Sequence, residues 1–532
     1  MANPDYVIVG AGSAGCVLAN RLSEDPGTRV LLIEAGGRDR SLNIKIPAAF
    51  AKQFHTKLDW DYWTEPEPAV AGRSLFIPRG KSLGGSSSMN AMLYVRGRPL
   101  DYDLWRDQGA PGWGWGDVFP YFLRSEDNAR GASEFHGAGG EMTISEQRSP
   151  RPLDERLIAA SAATGIPRIA DYNGPEQDGV SMFQVFQKDG RRWSAADAFL
   201  RPVLKRENLE VVTGATVLGL ELDGTRATGV RYRRGRGSET TARAGAEVIL
   251  CAGAIGSPQI LMLSGVGRPD ELRAAGVEAR HELPGVGRNL QDHPYLTMLF
   301  ELSEGPTLYE AEKPKYLLEW LLRKSGPLTS TAAEVVAFVR TRAGLPAADI
   351  QFHMGALYFE KHGEEEFDGD AMTIAPVLVS PKARGRVWLS SADPLAKPRM
   401  ITNSLSEPED VASMVAGMQM AREIASKSPL AELVVRELKP GPDAETPEQL
   451  DAALRERMEL IYHPAGTCRM SDDRDDAVVD SQLRVHGIDA LRVVDASIFP
   501  VIPGGNTNAP TIMVAERAAD LIRGRTPLTT PG

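Results

Sequence analysis

Several short apolar runs punctuate the chain: YVIV at 6–9, VLLIE at 30–34, AEVILCAG at 246–253 and LRVV at 491–494. Runs of four to six apolar residues bounded by glycine or polar residues predict buried strands. Between the first two lies SAGCVLANRL, with the spacing of a helix. From 208, NLEVVTGATVLGLELDG alternates and ATGVRYRRG pairs with it through a glycine-containing turn, so this region predicts antiparallel strands added to the first unit. SPQILMLSGVG at 257–267 predicts a helix capped by Ser257, with Pro258 in its first turn and Gly265 near its stop. From about 308 to 458, helical DVASMVAGMQMAREIASK mixes with the strands ADIQFHMGALYF and GRVWLSS, which predicts a second domain with an exposed acidic loop at 363–370. The strand LRVVDAS, a Pro/Gly turn and the helix APTIMVAERAADLIRG return the chain to α/β character. There is no internal repeat.

Two polar stretches, 78–98 and 284–294, have no periodicity. The first, PRGKSLGGSSSMNAMLYVRGR, reads as a loop that turns backbone N–H groups towards an anion. The opening strand runs straight into Gly10, Gly12 and Gly15, a G-x-G-x-x-G turn. The first glycine permits the tight turn, the second lets backbone approach a pyrophosphate, and the third lets helix and strand pack closely. The phosphates then meet a helix N-terminus. Glu34 closes the second strand about 20 residues on, where a carboxylate accepts ribose hydroxyls and repels a 2′-phosphate, which argues against NADP. The fingerprint alone does not separate FAD from NAD.

A chain of 532 residues exceeds one hydrophobic core. Its 60 Lys and Arg against 71 Asp and Glu give a net charge of −11, which argues against nucleic acid and anionic membrane as partners. Arg231, Arg233, Arg234 and Arg236 read as a solvated hairpin. Three cysteines, Cys16, Cys251 and Cys468, sit in apolar or glycine-rich segments and offer no disulfide framework. The eight histidines lack metal-ligand spacing, so no metal site is expected. The early first strand leaves no room for a signal peptide and no transmembrane run occurs, so a cytoplasmic protein is expected.

IYHPAGTCRM sets His463 before a small-residue turn, and PGGNTNAPT sets Asn506 and Asn508 at the entry to the last helix. Both flank strands of the nucleotide unit, whose ligand crevice lies at strand ends. A neutral imidazole there takes a proton near neutral pH. A turn histidine and a helix-capping asparagine fit the same residues.

Taken together, the glycine fingerprint with Glu34, RGKSLGGSSSMNAMLYVRG, GAIGSPQILMLSGVG, PGVGRNLQDH, YHPAGTC and VVDASIFPVIPGGNTNAPTIMVAERAADLI resemble the glucose-methanol-choline (GMC) oxidoreductase family over the whole chain. The resemblance implies a Rossmann-like α/β FAD-binding domain formed by 1–155, 206–307 and 463–532. Interleaved with it is an α+β substrate-binding domain of antiparallel sheet and helices, formed by 156–205 and 308–462. It places adenosine on Glu34 and Ala35, the pyrophosphate over Gly10, Gly12, Ser13, Ala14 and Gly15, and adenine against the backbone of Val217. Gly85, Ser86, Asn90 and Met92 lie along pyrophosphate, ribityl and flavin ring; Asp495 and Ala496 fall at the ribityl end, and Asn506, Thr507 and Asn508 approach the ring. His463 matches the catalytic base and Asn506 its partner. Some members bond FAD covalently through a histidine in the glycine loop; here that position is Met89, so FAD is expected to be non-covalent.

The implied reaction is oxidation of a primary alcohol to the aldehyde, with hydride transfer to flavin N5, His463 as base, and O₂ or a quinone as acceptor. NTNAPT differs from the choline-type pattern and an acid-bearing aromatic cage is not evident, which favours an uncharged alcohol. Choline oxidation, hydroxynitrile lysis and fatty acid photodecarboxylation are the family's other chemistries. Pocket candidates by analogy are Trp63, Phe352, His353, Met354, Tyr358 and the loop 328–331. Alternation in QFHMGALYF puts Phe352, Met354 and Tyr358 on one face and His353, Gly355 and Leu357 on the other, without saying which meets substrate. The oligomeric state is open.

Overall fold

A computed structural model describes residues 3–305, 308, 311, 313–473 and 475–529. Five strands form one parallel sheet in the order Leu209–Thr213, Val30–Glu34, Tyr6–Val9, Glu247–Leu250, Leu491–Val493. Val7 pairs with Leu31 on one side and Val248 on the other, and Val7, Ile8, Leu32, Val248, Ile249 and Leu250 are fully buried. Helices and loops cover both faces, which is why these strands read as uniformly apolar runs. Helix Ser13–Leu22 packs against the last helix, Asn508–Ile522, and Ser13 Oγ donates to Asn508 Oδ1 at 2.7 Å, tying the two ends of the chain together. Strands Ala215–Asp223, Arg226–Arg234 and Glu239–Arg243 form a separate antiparallel sheet that carries the arginine-rich hairpin.

A second, antiparallel sheet runs Val434–Lys439, Met298–Leu302, Ala371–Leu378, Ile350–Gly355, Val335–Val339, Gly179–Met182. Helix Pro408–Ala425 packs on it, with Gly417 so close to Pro376 that a Cβ there would stand 2.9 Å from the proline ring. The strands Pro294–Tyr295 and Met298–Leu302 belong to this sheet, which corrects their expected place within the 206–307 segment of the first domain. Their partners, Ala371–Leu378 and Val434–Lys439, lie far along the chain, and local pattern does not reveal such a pairing. Residue 307, the expected boundary, lies outside the described residues.

The helix expected at 257–267 starts earlier and runs Gly253–Leu263, with Pro258 inside it. Proline has no N–H, so the carbonyl four residues back loses its helical donor. Thr467 Oγ1 donates to that Ala254 carbonyl instead. Ser257, expected as the cap, donates through its hydroxyl to Asp495 Oδ2 at 2.6 Å.

Candidate active site

The C-terminal ends of the parallel strands open into a cavity of about 620 Å³ whose far wall is the antiparallel sheet. This is where an open α/β sheet places its ligand. Gly10, Gly12, Ser13 and Ala14 line it, followed by Glu34 and Ala35 from the next strand. Gly10 has φ +99°, and a Cβ on it would meet the Cys251 carbonyl at 2.5 Å. A Cβ on Gly15 would lie 1.9 Å from the Gly10 carbonyl oxygen; this glycine does not line the cavity and instead lets the helix sit against the turn. A Cβ on Gly12 would meet nothing within 4 Å, because it would enter the cavity. Helix Ser13–Leu22 starts there with no side chain on its first N–H groups, which leaves them for an anionic ligand.

Glu34 is buried and accepts from Ala11 N at 2.8 Å and Gly36 N at 2.7 Å. Burial raises its carboxyl above the usual range, opposed by those two N–H bonds and by Lys81. Each oxygen keeps a lone pair for a ribose hydroxyl. Gly85, Ser86, Asn90, Met92, Val217, Ala496, Thr507 and Asn508 all line the same cavity. Asp495 lines it too, but its carboxylate is occupied by Gly253 N, Ser257 Oγ and Ser497 N. These residues fit a flavin dinucleotide: a glycine whose missing Cβ leaves the cradle open, bare helix N–H groups for phosphate and an acid for ribose.

On the opposite wall, His463 and Asn506, 43 residues apart in sequence, meet with Asn506 Nδ2 3.3 Å from His463 Nε2. Gln351 Nε2 donates to Asn506 Oδ1 at 3.3 Å, which turns the amide N–H towards the histidine. His463 Nδ1 lies 3.0 Å from His293 Nδ1, so one proton is shared between those two nitrogens. With Asn506 donating to Nε2, the proton of His463 sits on Nδ1 and its Nε2 lone pair points at the Asn506 amide, both side chains lining the cavity. Asp292 Oδ1 accepts from both His293 N at 2.8 Å and His463 N at 2.7 Å and so fixes both backbones. Arg79 Nη2 donates to the carbonyl of Tyr462, which has φ +68°, and holds the turn from the other side.

Burial is the largest cause that lowers His463 well below 6.5, followed by His293, His353 and Arg79. A depressed imidazole is neutral, and competent as a base, at every pH above its own lowered value. The acid limb of kcat/KM is therefore expected well below pH 6.5. A break at 6.5 or above that persists in Asp292→Asn, whose carboxyl is itself pushed up to about 7 by burial, would contradict so depressed an imidazole.

Of the expected pocket residues, His353 lines the cavity, on the strand face it shares with Gly355 and Leu357. Burial pushes His353 down to about 3. Phe352 and Met354 point the other way into the core. Tyr358 lies outside the cavity, its ring stacked on Phe367 and its hydroxyl donating to Glu365 at 2.7 Å. Trp63 is also outside, 46 % exposed and packed on Phe76, while its neighbours Trp60 and Tyr62 line the cavity. Thr331 is the member of the 328–331 loop that reaches it. No local pattern in the sequence marks Arg79, Asp292, His293 or Gln351, nor the aromatic residues Phe50, Phe54, Tyr295, Phe359 and Tyr462 that line the cavity. The Asp-His pair in the polar loop at 284–294 is the nearest thing to such a signal. Among the described residues, His55, Asp59 and Asp61 group closely enough to hold a metal ion. Their atoms already bond one another: Asp59 accepts from His55, Asp61 and Arg79 backbone, and His55 Nδ1 contacts Asp61 at 2.7 Å.

Family models for GMC oxidoreductase match residues 4–295 and 381–515. The chain is 42 % identical to an alcohol dehydrogenase [acceptor] of Pseudomonas putida over 97 % of its own length and 95 % of the relative's. It is 40 % identical to an oxygen-dependent choline dehydrogenase of Photobacterium profundum, over 99 % and 94 %. The solved structure of pyridoxine 4-oxidase from Mesorbium loti superposes with a TM-score of 0.90 at 35 % identity, covering 98 % of this chain and all of that one. The chain belongs to the GMC oxidoreductase family and is FAD-dependent.

Proposed function

We propose that this protein oxidises an uncharged primary alcohol to its aldehyde, with His463 as base and Asn506 as its hydrogen-bonding partner. The observation that carries this reading is the His463 Nε2 lone pair, 3.3 Å from an amide donor and in one cavity with the Gly12 cradle. Bound FAD supplies the two-electron acceptor that takes hydride from the alcohol carbon. A substrate hydroxyl that replaces the direct contact between the two side chains donates its proton to Nε2 and accepts from Asn506 Nδ2–H. As hydride leaves the carbon, the hydroxyl proton passes to Nε2 and the C–O bond becomes a carbonyl. Positioned proton transfer of this kind contributes roughly 10²- to 10⁴-fold.

The charge of the wall supports a neutral substrate. The carboxylates that line the cavity are Glu34 and Asp495, both on the dinucleotide side and both already hydrogen-bonded. Around His463 the lining includes Phe50, Phe54, Tyr295, Phe359 and Tyr462, and the cations that line the cavity are Arg79, which faces the buried Asp292 and Asp59 carboxyls, Lys81 and Lys397. Aromatic faces attract a quaternary ammonium, but the Arg79 guanidinium repels one. This weighs against choline as the substrate, despite the choline dehydrogenase among the relatives.

Anaerobic mixing of the yellow holoenzyme with benzyl alcohol, a linear primary alcohol and choline tests the reading. The two neutral alcohols are expected to bleach the flavin, with choline slower by on the order of 10²-fold, since a like-charge contact costs several kcal/mol. Fastest bleaching by choline would overturn the substrate class. Admission of air then separates the acceptors: rapid recolouring marks O₂, and recolouring only with an added quinone marks a dehydrogenase.

A further inference from the structure

A helix that packs on its own protein turns its apolar stripe inward. Helix Pro314–Arg323 does the reverse. Trp320 is its buried residue, whereas Leu317, Leu318, Leu321 and Leu322 are 40, 57, 49 and 74 % exposed. At 3.6 residues per turn these leucines fill one arc of about 140°. Trp320 anchors the helix, its Nε1 donating to the Gly190 carbonyl at 2.9 Å and its ring packing with Ile46, Ala49 and Leu328. Lys324 ends the helix in the left-handed region and donates from Nζ to the carbonyls of Trp320 and Leu321. The helix is therefore complete at its C-terminus and still shows its apolar side to solvent.

We propose that this helix docks in the interface of an anionic phospholipid membrane, with its leucines among the acyl chains and its cations on the phosphates. Exposed Lys315 borders the leucine arc on one side and exposed Arg323 lies at the end, while the Lys324 ammonium stays on the carbonyls of its own helix. Between 310 and 324 the sequence carries four cations against Glu310, Glu312 and Glu319, a local excess of positive charge in a chain whose net charge is −11. Charges elsewhere on the surface are screened beyond about 8–10 Å, so this local patch sets the interaction. A second copy of the chain fits less well. A ten-residue helix is about 15 Å long, and two of them paired bury far less than the roughly 1,200 Å² of a stable interface. A bilayer needs no complementary protein surface. The segment Pro327–Thr329 that follows packs on Pro47–Ala49, and Phe50, Thr331 and Ala332 just beyond them line the cavity. Docking would set this wall of the cavity towards the lipid. The inference does not depend on the alcohol reading.

The test is sedimentation of the holoenzyme with extruded POPC:POPG vesicles at physiological salt. The wild-type protein is expected to co-sediment, and Leu318→Gln/Leu322→Gln to partition at least about tenfold more weakly, with unchanged FAD content and Tm. On pure POPC the wild type is expected to partition several-fold more weakly. A wild type that stays in the supernatant, a variant that partitions like it, or equal binding to both vesicle types would overturn the proposal. Light scattering that shows a wild-type dimer converted to monomer by the same pair of substitutions would overturn it in favour of self-association.

Discussion

Gly15→Ala is expected to give a colourless, poorly folded protein, and Gly12→Ala a well-folded one that holds FAD weakly. The two glycines share one turn but meet different surroundings. A Cβ at Gly15 stands 1.9 Å from the Gly10 carbonyl oxygen and 3.0 Å from its carbon. Gly10 has no room to yield, since it is itself fixed at φ +99° against the Cys251 carbonyl. The collision is between backbone atoms, so the helix must move off the sheet, at a cost on the order of 3–5 kcal/mol. At Gly12 the Cβ meets no protein atom within 4 Å and projects into the cavity. It enters the space proposed for the pyrophosphate, and the expected loss of FAD affinity is at least about tenfold, or ~1.4 kcal/mol. Far-UV circular dichroism, thermal melts and the FAD-to-protein absorbance ratio distinguish the two. Equal flavin content in both variants and wild type would contradict this assignment of the cradle.

His463→Ala is expected to stay yellow and to lose about 10²- to 10⁴-fold in kcat/KM for alcohol oxidation. The ring lies against Asn506 and His293, away from the glycine turn, so removing it leaves the Gly12 cradle and Glu34 intact. Asn506→Ala should fall in the same direction, because without the amide the substrate oxygen loses its donor and His463 Nε2 loses the contact that sets its tautomer. Residues that act as a unit lose activity non-additively. The double variant is therefore expected to be little worse than His463→Ala alone. Steady-state kinetics corrected for FAD content provide the measure; near-normal turnover by His463→Ala would reassign the base.

The nucleotide cradle was legible because its demands are local. A turn at positive φ, a helix start and a terminal acid constrain residues within one βαβ unit, and only glycine satisfies the contacts at Gly10 and Gly15. The substrate wall was far less so. Strand Ile350–Gly355 is buried on both faces, so its alternation carried no polarity to mark the side with His353 as the cavity side. Trp63 missed the cavity by a single residue, because successive strand side chains point to opposite faces and Tyr62 took the inward position. Pro258 suggested a helix start, yet Thr467, more than 200 residues later, supplies the donor that lets the helix continue through it. The contact of His293 with His463 spans 170 positions and rests on the pairing of Pro294–Tyr295 with Glu459–Leu460, which no local pattern announces.

The glycine cradle and the His463–Asn506 pair are proposed to serve one flavin. Crystals of the FAD-bound protein soaked with a non-reactive analogue of benzyl alcohol test it most directly. Adenosine is expected at Glu34, pyrophosphate over Gly12 and Ser13, and the analogue's oxygen within hydrogen-bond reach of both His463 Nε2 and Asn506 Nδ2 beside the isoalloxazine. A ring bound away from that pair, or an analogue oxygen held by other side chains, would contradict it.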